Sequence, residues 1–291
     1  MAGIGRFTIM ALRKKIISKF FNYRMSDSNS NYDSDFINCS VDVSELNGVR
    51  SMHIGSETIQ SSMNIADPFF LELNYTKVMS LCFIFNKLPK EILVVGLGGG
   101  SIAKFFYKHS RKSVINIVEL NSQVISVAKS YFKIPQSKRF NIMEGDAIRY
   151  LFDYEMQYDI LLSDAFDDIG IPENFCTLEY FSLCKSRLSQ HGIFMINLWG
   201  SDPKTIIYID RIKSVFDGRV LYAAADNPGN IIIFAFNSIP SELRIAFLKL
   251  RIKDLEKQFN FNLMVYFNRL IESSSNSNAR RIKFEEDISG S

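Results

Sequence analysis

The sequence predicts an α/β fold: a seven-stranded Rossmann-like sheet preceded by a small N-terminal β-hairpin module. Three observations lead there. From residue 90 onward, short apolar runs alternate with helical patterns, as in a parallel sheet covered on both faces. The first of these runs, residues 92–95, passes straight into Gly96-Leu97-Gly98-Gly99-Gly100-Ser101. The last two runs, 219–225 and 231–236, are separated only by Asp226-Asn227-Pro228-Gly229-Asn230, which predicts an antiparallel hairpin at the sheet edge.

Each element follows from its own signals. Residues 40–43 and 49–54 flank Glu45-Leu46-Asn47-Gly48, a turn sequence, and residues 57–63 supply a third short strand. Asp67-Pro68 opens a helical stretch through Leu71, Tyr75, Val78 and Leu81 that ends before Pro89. Strands at 92–95, 114–118, 140–143, 158–163 and 192–198 then alternate with helices at 102–108, 122–131, 147–152 and one beginning near Thr177. Residues 241–269 read as helical, and the stretch from Glu272, with SSSNSN and RR, reads as a loose tail. The expected organisation is therefore 1–38 as a basic helix and linker, 39–66 as the β module, 67–238 as the Rossmann-like domain, and 239–291 as a C-terminal helix and tail.

Composition narrows the function classes. The chain has 291 residues, 47% hydrophobic and 22% charged, which excludes wholesale disorder. Its 34 basic and 31 acidic side chains give a net charge of +3, too balanced for nucleic acid as the main partner. No apolar run approaches the roughly 20 residues of a transmembrane helix. Cysteines at 39, 82, 176 and 184 include no CxxC pair, and histidines at 53, 109 and 191 are scattered, so neither a disulfide framework nor a metal site is expected. A reducing, cytoplasmic setting is the simplest expectation. In residues 1–25, Arg13, Lys14, Lys15 and Lys19 interrupt the apolar side chains, unlike a secretory signal. A surface helix is expected there, with contact to anionic lipid or a partner as the alternative.

The glycines after the first buried strand allow close backbone approach to a ligand and leave helix N–H groups available to it. Gly96, Gly98 and Gly100 alone would also suit a tight strand-to-helix turn. Glu119 stands about 20 residues downstream at the next strand end, where a carboxylate can bind ribose hydroxyls. Asp146, before Ala147, closes the following strand and could receive an adenine amino group, although Asp equally suits a helix N-cap. The combination favours S-adenosylmethionine or a close relative over a nicotinamide cofactor.

The fourth of these strands ends in Asp164, with Asp167 three residues on. Carboxylates at such strand ends face the ligand crevice. A sulfonium electrophile needs little acid catalysis, because its leaving group departs as a neutral thioether. It needs an unprotonated nucleophile, and paired carboxylates can bind a cationic amine and accept its proton.

With these residues placed, residues 41–236 resemble the polyamine aminopropyltransferase family, typified by spermidine synthase, whose sheet is of the methyltransferase type. Gln60 matches the family's Gln at the end of its β module, and Tyr75 its amine-site Tyr. Glu119 and Asp146, with Ala147, match the ribose- and adenine-binding positions. Asp164 and Asp167 match the Asp-x-x-Asp whose first member is the catalytic base. Asn197 stands near a frequent Gln. The resemblance implies decarboxylated S-adenosylmethionine as co-substrate, a small-molecule di- or polyamine as acceptor, no metal, and a homodimer or homotetramer. It has departures. The loop's usual Asp is Gly99 here, the Tyr-Gln-Glu triplet is Tyr75-Thr76-Lys77, and the loop at 226–230 lacks a frequent Tyr. Gly99 and Lys77 keep methyl transfer from ordinary S-adenosylmethionine open, since fewer acids and a nearby cation would tolerate that cofactor's carboxylate. A catalytically inactive homologue is the third reading.

Overall fold

Asn47 and Gly48 both take left-handed backbone, with φ of 51° and 78°, as a two-residue hairpin turn requires. They join β1 (Val41–Leu46) to β2 (Val49–Ile54) in the register Leu46↔Val49 through Val41↔Ile54. β3 (Ile59–Asn64) pairs antiparallel with β2, so the module is a three-stranded sheet in the order β1-β2-β3. The structure is a computed structural model and describes residues 40–166, 170–226 and 229–284. The basic helix and linker expected at 1–38 lie outside the described residues, as does Asp167.

The helix predicted from Asp67 begins later. Asn64 Oδ1 accepts from the N–H groups of Ala66 and Asp67, and Asp67 Oδ1 accepts from Phe69 N–H. These side-chain bonds give the backbone an alternative to helix, so 66–73 form turns. α1 (Asn74–Met79) and the single turn α2 (Cys82–Phe85) follow.

The second sheet has the order β6-β5-β4-β7-β8-β10-β9. β4 (Glu91–Val95), β5 (Val114–Glu119), β6 (Phe140–Glu144), β7 (Tyr158–Ser163) and β8 (Leu188–Trp199) are parallel. β10 (Asn230–Phe236) inserts between β8 and β9 (Val220–Ala224), antiparallel to both, which is the hairpin the short connection predicts. The crossovers run through α3 (Ser101–His109), α4 (Ser122–Tyr131), α5 (Ala147–Asp153) and α6 (Leu178–Ser186), and α7 (Thr205–Val215) leads on to β9. Strand order reverses at β4/β7, where a ligand crevice is expected in an open parallel sheet.

Successive side chains of the central strands point to opposite faces. Leu93, Val95, Leu161, Phe194 and Ile196 fill one face with side chains of α5, α6 and α7. The intervening Val94, Leu162 and Met195 are also buried, so both faces are covered.

The predicted C-terminal helix is two helices. α8 (Ile245–Phe259) stops at Asn260, which is left-handed at φ 61°, and α9 (Met264–Ser273) restarts where Glu256 Oε1 accepts from Leu263 and Met264 N–H at 2.8 Å each. Nor are residues 272–284 a loose tail. Asn276 is buried, and its amide pairs with the Lys283 backbone in both directions. Ile282 and Phe284 are buried beyond it, Phe284 with its ring 5.6 Å from that of Phe236. Asn supplies bonds that mimic backbone, so a polar run could be pinned down. Among the described residues no helix is long and apolar enough to cross a membrane.

Candidate active site

Backbone bonds tie the carboxyl ends of four strands into one edge. Gly96 N–H donates to Val118 O, Gly145 N–H to Glu119 O and Asp164 N–H to Val95 O, each at 2.9 Å. The sequence-predicted Gly96, Glu119, Asp146 and Asp164 therefore sit along one edge of the sheet, Glu119 at the end of β5 and the others just after β4, β6 and β7.

The glycine loop is shaped by close approach. Gly96, Gly98 and Gly100 have φ of 91°, 49° and 70°. A Cβ on Gly96 would stand 2.4 Å from the Asp164 carbonyl oxygen, so only glycine allows β4 and β7 to converge there. Gly99 is constrained differently: a Cβ would meet the Phe132 ring at 2.6 Å and Ser61 Oγ at 2.9 Å. The place where the family has an acid is closed by a phenyl ring and a hydroxyl. Ser61 belongs to the β module, which seats here through Ser61 Oγ to Ser101 Oγ at 3.2 Å and Ser101 Oγ to Ser62 O at 2.8 Å. Beneath the loop, the fully buried Lys104 donates to Phe132 O at 2.7 Å, and burial pulls its pKa down to about 7.

Glu119 is 7% exposed and accepts from Leu97 N–H and Asn121 N–H at 2.8 Å each. Burial raises its pKa, and backbone N–H groups, including those of Leu97 and Asn121, oppose the rise. Its carboxylate thus buttresses the glycine loop and the turn after β5. Asp146 takes the helix-cap geometry, accepting from Arg149 N–H at 3.0 Å, and Ala147 behind it is buried.

Side chains from two other elements reach Asp164. Asn197 Nδ2, from β8, donates to Oδ1 at 2.9 Å. The Tyr75 hydroxyl, from α1, bonds to the same carboxylate, and it lies 3.5 Å from the Gln60 carbonyl oxygen of β3. Burial pushes the Asp164 carboxyl up to about 6, against the pull of the Asn197 and Tyr75 donors. Tyr75 is raised well above its ordinary value, chiefly by burial and then by the Asp164 charge, so it stays a donor. The structure thus brings together Gln60, Tyr75 and Asp164. Lys77 is two residues from Tyr75 and leaves the helix on another face. Its ammonium lies over the rings of Phe70 and Phe261 at 5.4 and 5.9 Å, and burial lowers its pKa.

Asn197 carries more than a place near the resemblance. It is 2% exposed inside an apolar strand, and a buried amide needs partners, a signal already present in the sequence. Asn230, which donates to Asn197 Oδ1 at 2.9 Å, was not singled out by any motif.

Residues 72–214 match the family model for the spermine/spermidine synthase domain. A polyamine aminopropyltransferase of Chromobacterium violaceum is 37% identical over 235 residues, spanning 80% of this chain and 90% of its own. Among solved structures, a probable spermidine synthase from Corynebacterium glutamicum superposes with a TM-score of 0.67 at 17% identity, covering 85% of this chain and 94% of that one. A spermidine synthase in complex with the transition-state analogue AdoDATO gives 0.59 at 18% identity, over 79% and 84%. The two structures share the fold, and the Chromobacterium relative extends the likeness over most of both chains: the chain belongs to the spermine/spermidine synthase family of polyamine aminopropyltransferases.

Proposed function

We propose that this protein transfers an aminopropyl group from decarboxylated S-adenosylmethionine to a di- or polyamine of putrescine type, with Asp164 as the base. The observation that carries the reading is the half-buried Asp164 carboxylate, held by Asn197 and Tyr75 beside the glycine loop. The residues fit an adenosyl donor. The glycine loop leads into α3, whose first turn receives no side-chain cap from Gly100, Glu119 takes the ribose position, and Asp146 with Ala147 borders the adenine side.

When bound, the donor supplies a sulfonium carbon that accepts the amine's lone pair as the carbon–sulfur bond breaks and a neutral thioether leaves. The chain's own work is on the amine. Asp164 attracts the ammonium form, orients it and takes its proton, so that the nitrogen attacks with a lone pair. The Tyr75 hydroxyl, donating to the carboxylate, fixes its plane next to the acceptor. Asp167, outside the described residues, is the second acid of the Asp-x-x-Asp pair in this reading. Lys77, engaged with two phenyl rings, is not among the groups acting on Asp164, which removes one support for methyl transfer.

Calorimetric titration with decarboxylated and ordinary S-adenosylmethionine tests the donor. Tighter binding of the decarboxylated form, followed by turnover with putrescine, cadaverine or spermidine, is the expected result. Preference for the carboxylated form would make the protein a methyltransferase on this scaffold. Asp164→Asn tests the base: donor affinity should hold within a few-fold while turnover falls by ~100-fold or more.

A further inference from the structure

Asn197 has two ends of opposite chemistry, an NH2 that donates and a carbonyl that accepts. The first meets Asp164 Oδ1 at 2.9 Å and the second receives Asn230 Nδ2 at 2.9 Å. Asn230 opens β10 opposite Trp199, while Asn197 lies opposite Ile232, so the two asparagines are diagonal neighbours on one sheet face. Turned by half a rotation, Asn197 would set its NH2 against that of Asn230 and its carbonyl against the Asp164 carboxylate. Both contacts would be repulsive.

We infer that Asn230 is a positioning residue for the reaction: by donating to Asn197 it keeps that amide turned with its NH2 toward Asp164, which fixes the carboxylate plane and leaves its remaining lone pairs for the incoming amine. The inference rests on the reading of Asp164 as the base. While Asp164 is ionised, its own charge also favours this orientation. Once it is protonated, Asn230 is what keeps Asn197 from turning. Asn230 therefore favours return to the ionised form and extends the working range toward acid. Among the described residues, three groups face Asp164. Tyr75 comes from α1, Asn197 from β8, and Gly96 of the loop approaches the Asp164 backbone. Asp226, after β9, acts on Lys77 and Tyr266 instead.

The test is the pH profile of kcat/KM for putrescine at saturating decarboxylated S-adenosylmethionine, on the full chain. Asn230→Asp is close to isosteric but accepts only, so it draws the Asn197 NH2 away. The acidic limb should move up by about one pH unit or more. Asn230→Leu removes the donor without adding charge, and its limb should move the same way by less. Donor titration of each variant reports an intact fold, with affinity expected within a few-fold of the parent. Acidic limbs unchanged in both variants, with kcat lowered or not, would overturn the inference. Asp164→Asn run alongside separates the two claims: if it retains turnover, the base assignment fails. If it loses turnover while both Asn230 variants keep the parent limb, only the role of Asn230 fails.

Discussion

As the proposed base, Asp164 would couple activity to stability. In the folded chain it keeps its proton up to about pH 6, against an ordinary value of 3.8. Between those values the native state binds more protons than the unfolded one, so stability rises as pH falls through the window. Above about 6 the ionised form carries its full cost. Asp164→Asn should therefore stabilise the protein at pH 7 to 8 by roughly 1–3 kcal/mol, read as a shift of the urea midpoint, while it removes turnover. The same value places the acidic limb of the parent's kcat/KM near pH 6, and a limb near 4 would mean that the carboxylate is solvated in the working enzyme. At Glu119 the expected loss is in affinity. Glu119→Ala should weaken binding of an adenosyl ligand by roughly 1–3 kcal/mol in calorimetry, the worth of its charge-assisted bonds. Glu119 and Asp164 were legible in the sequence because each ends a buried strand. The Asn230 contact was not, because it is made to a diagonal neighbour on a strand that is 33 residues away in the chain.

At the scale of elements, the unusual member is α3. It follows the glycine loop and carries Lys104 into the interior, where its ammonium has the Phe132 carbonyl as acceptor. The sign for a lysine of lowered pKa is opposite to that of Asp164. The unfolded chain keeps the proton to 10.5 and the folded chain only to about 7, so stability grows as pH rises between them. From pH 7 to 9 the parent should gain roughly 2 kcal/mol relative to Lys104→Met, measured by urea unfolding of both at each pH. Element boundaries show where local sequence misleads. The alternation of strands and helices from 90 to 236 is plain, because each apolar run is bounded by polar turns. The start of α1 is not. Asn64 and Asp67 bind their own backbone and delay it, and no count of apolar spacing reveals that. Likewise Asn260 and the Glu256 cap divide α8 from α9 within a pattern that reads as one helix.

For the whole molecule, the family domain at 72–214 is only part of the folding unit. β9, β10, α8 and α9 lie beyond it. Arg251 of α8 donates to the Ile84 carbonyl at 2.6 Å, and Tyr266 of α9 donates to Asn74, the residue before Tyr75, at 2.8 Å. Leu248, Ile252, Phe259, Phe267 and Leu270 are all buried. Removing 239–291 would return these side chains and their partners to water at a cost on the order of 10 kcal/mol, comparable to the stability of a whole domain. Such a truncation should lose its near-ultraviolet circular dichroism and its cooperative transition. The order of the strands has one more consequence, and it concerns time. β10 is made after β8 yet must be seated beside it, with β9 on the outside. On the ribosome, Asp164 and Asn197 emerge well before Asn230, and α9 later still. A nascent chain can thus hold every strand-end carboxylate and still lack Asn230, the amide proposed to orient the base. In the proposed mechanism competence therefore comes late in synthesis, after the final hairpin has closed the sheet and α8 and α9 have packed.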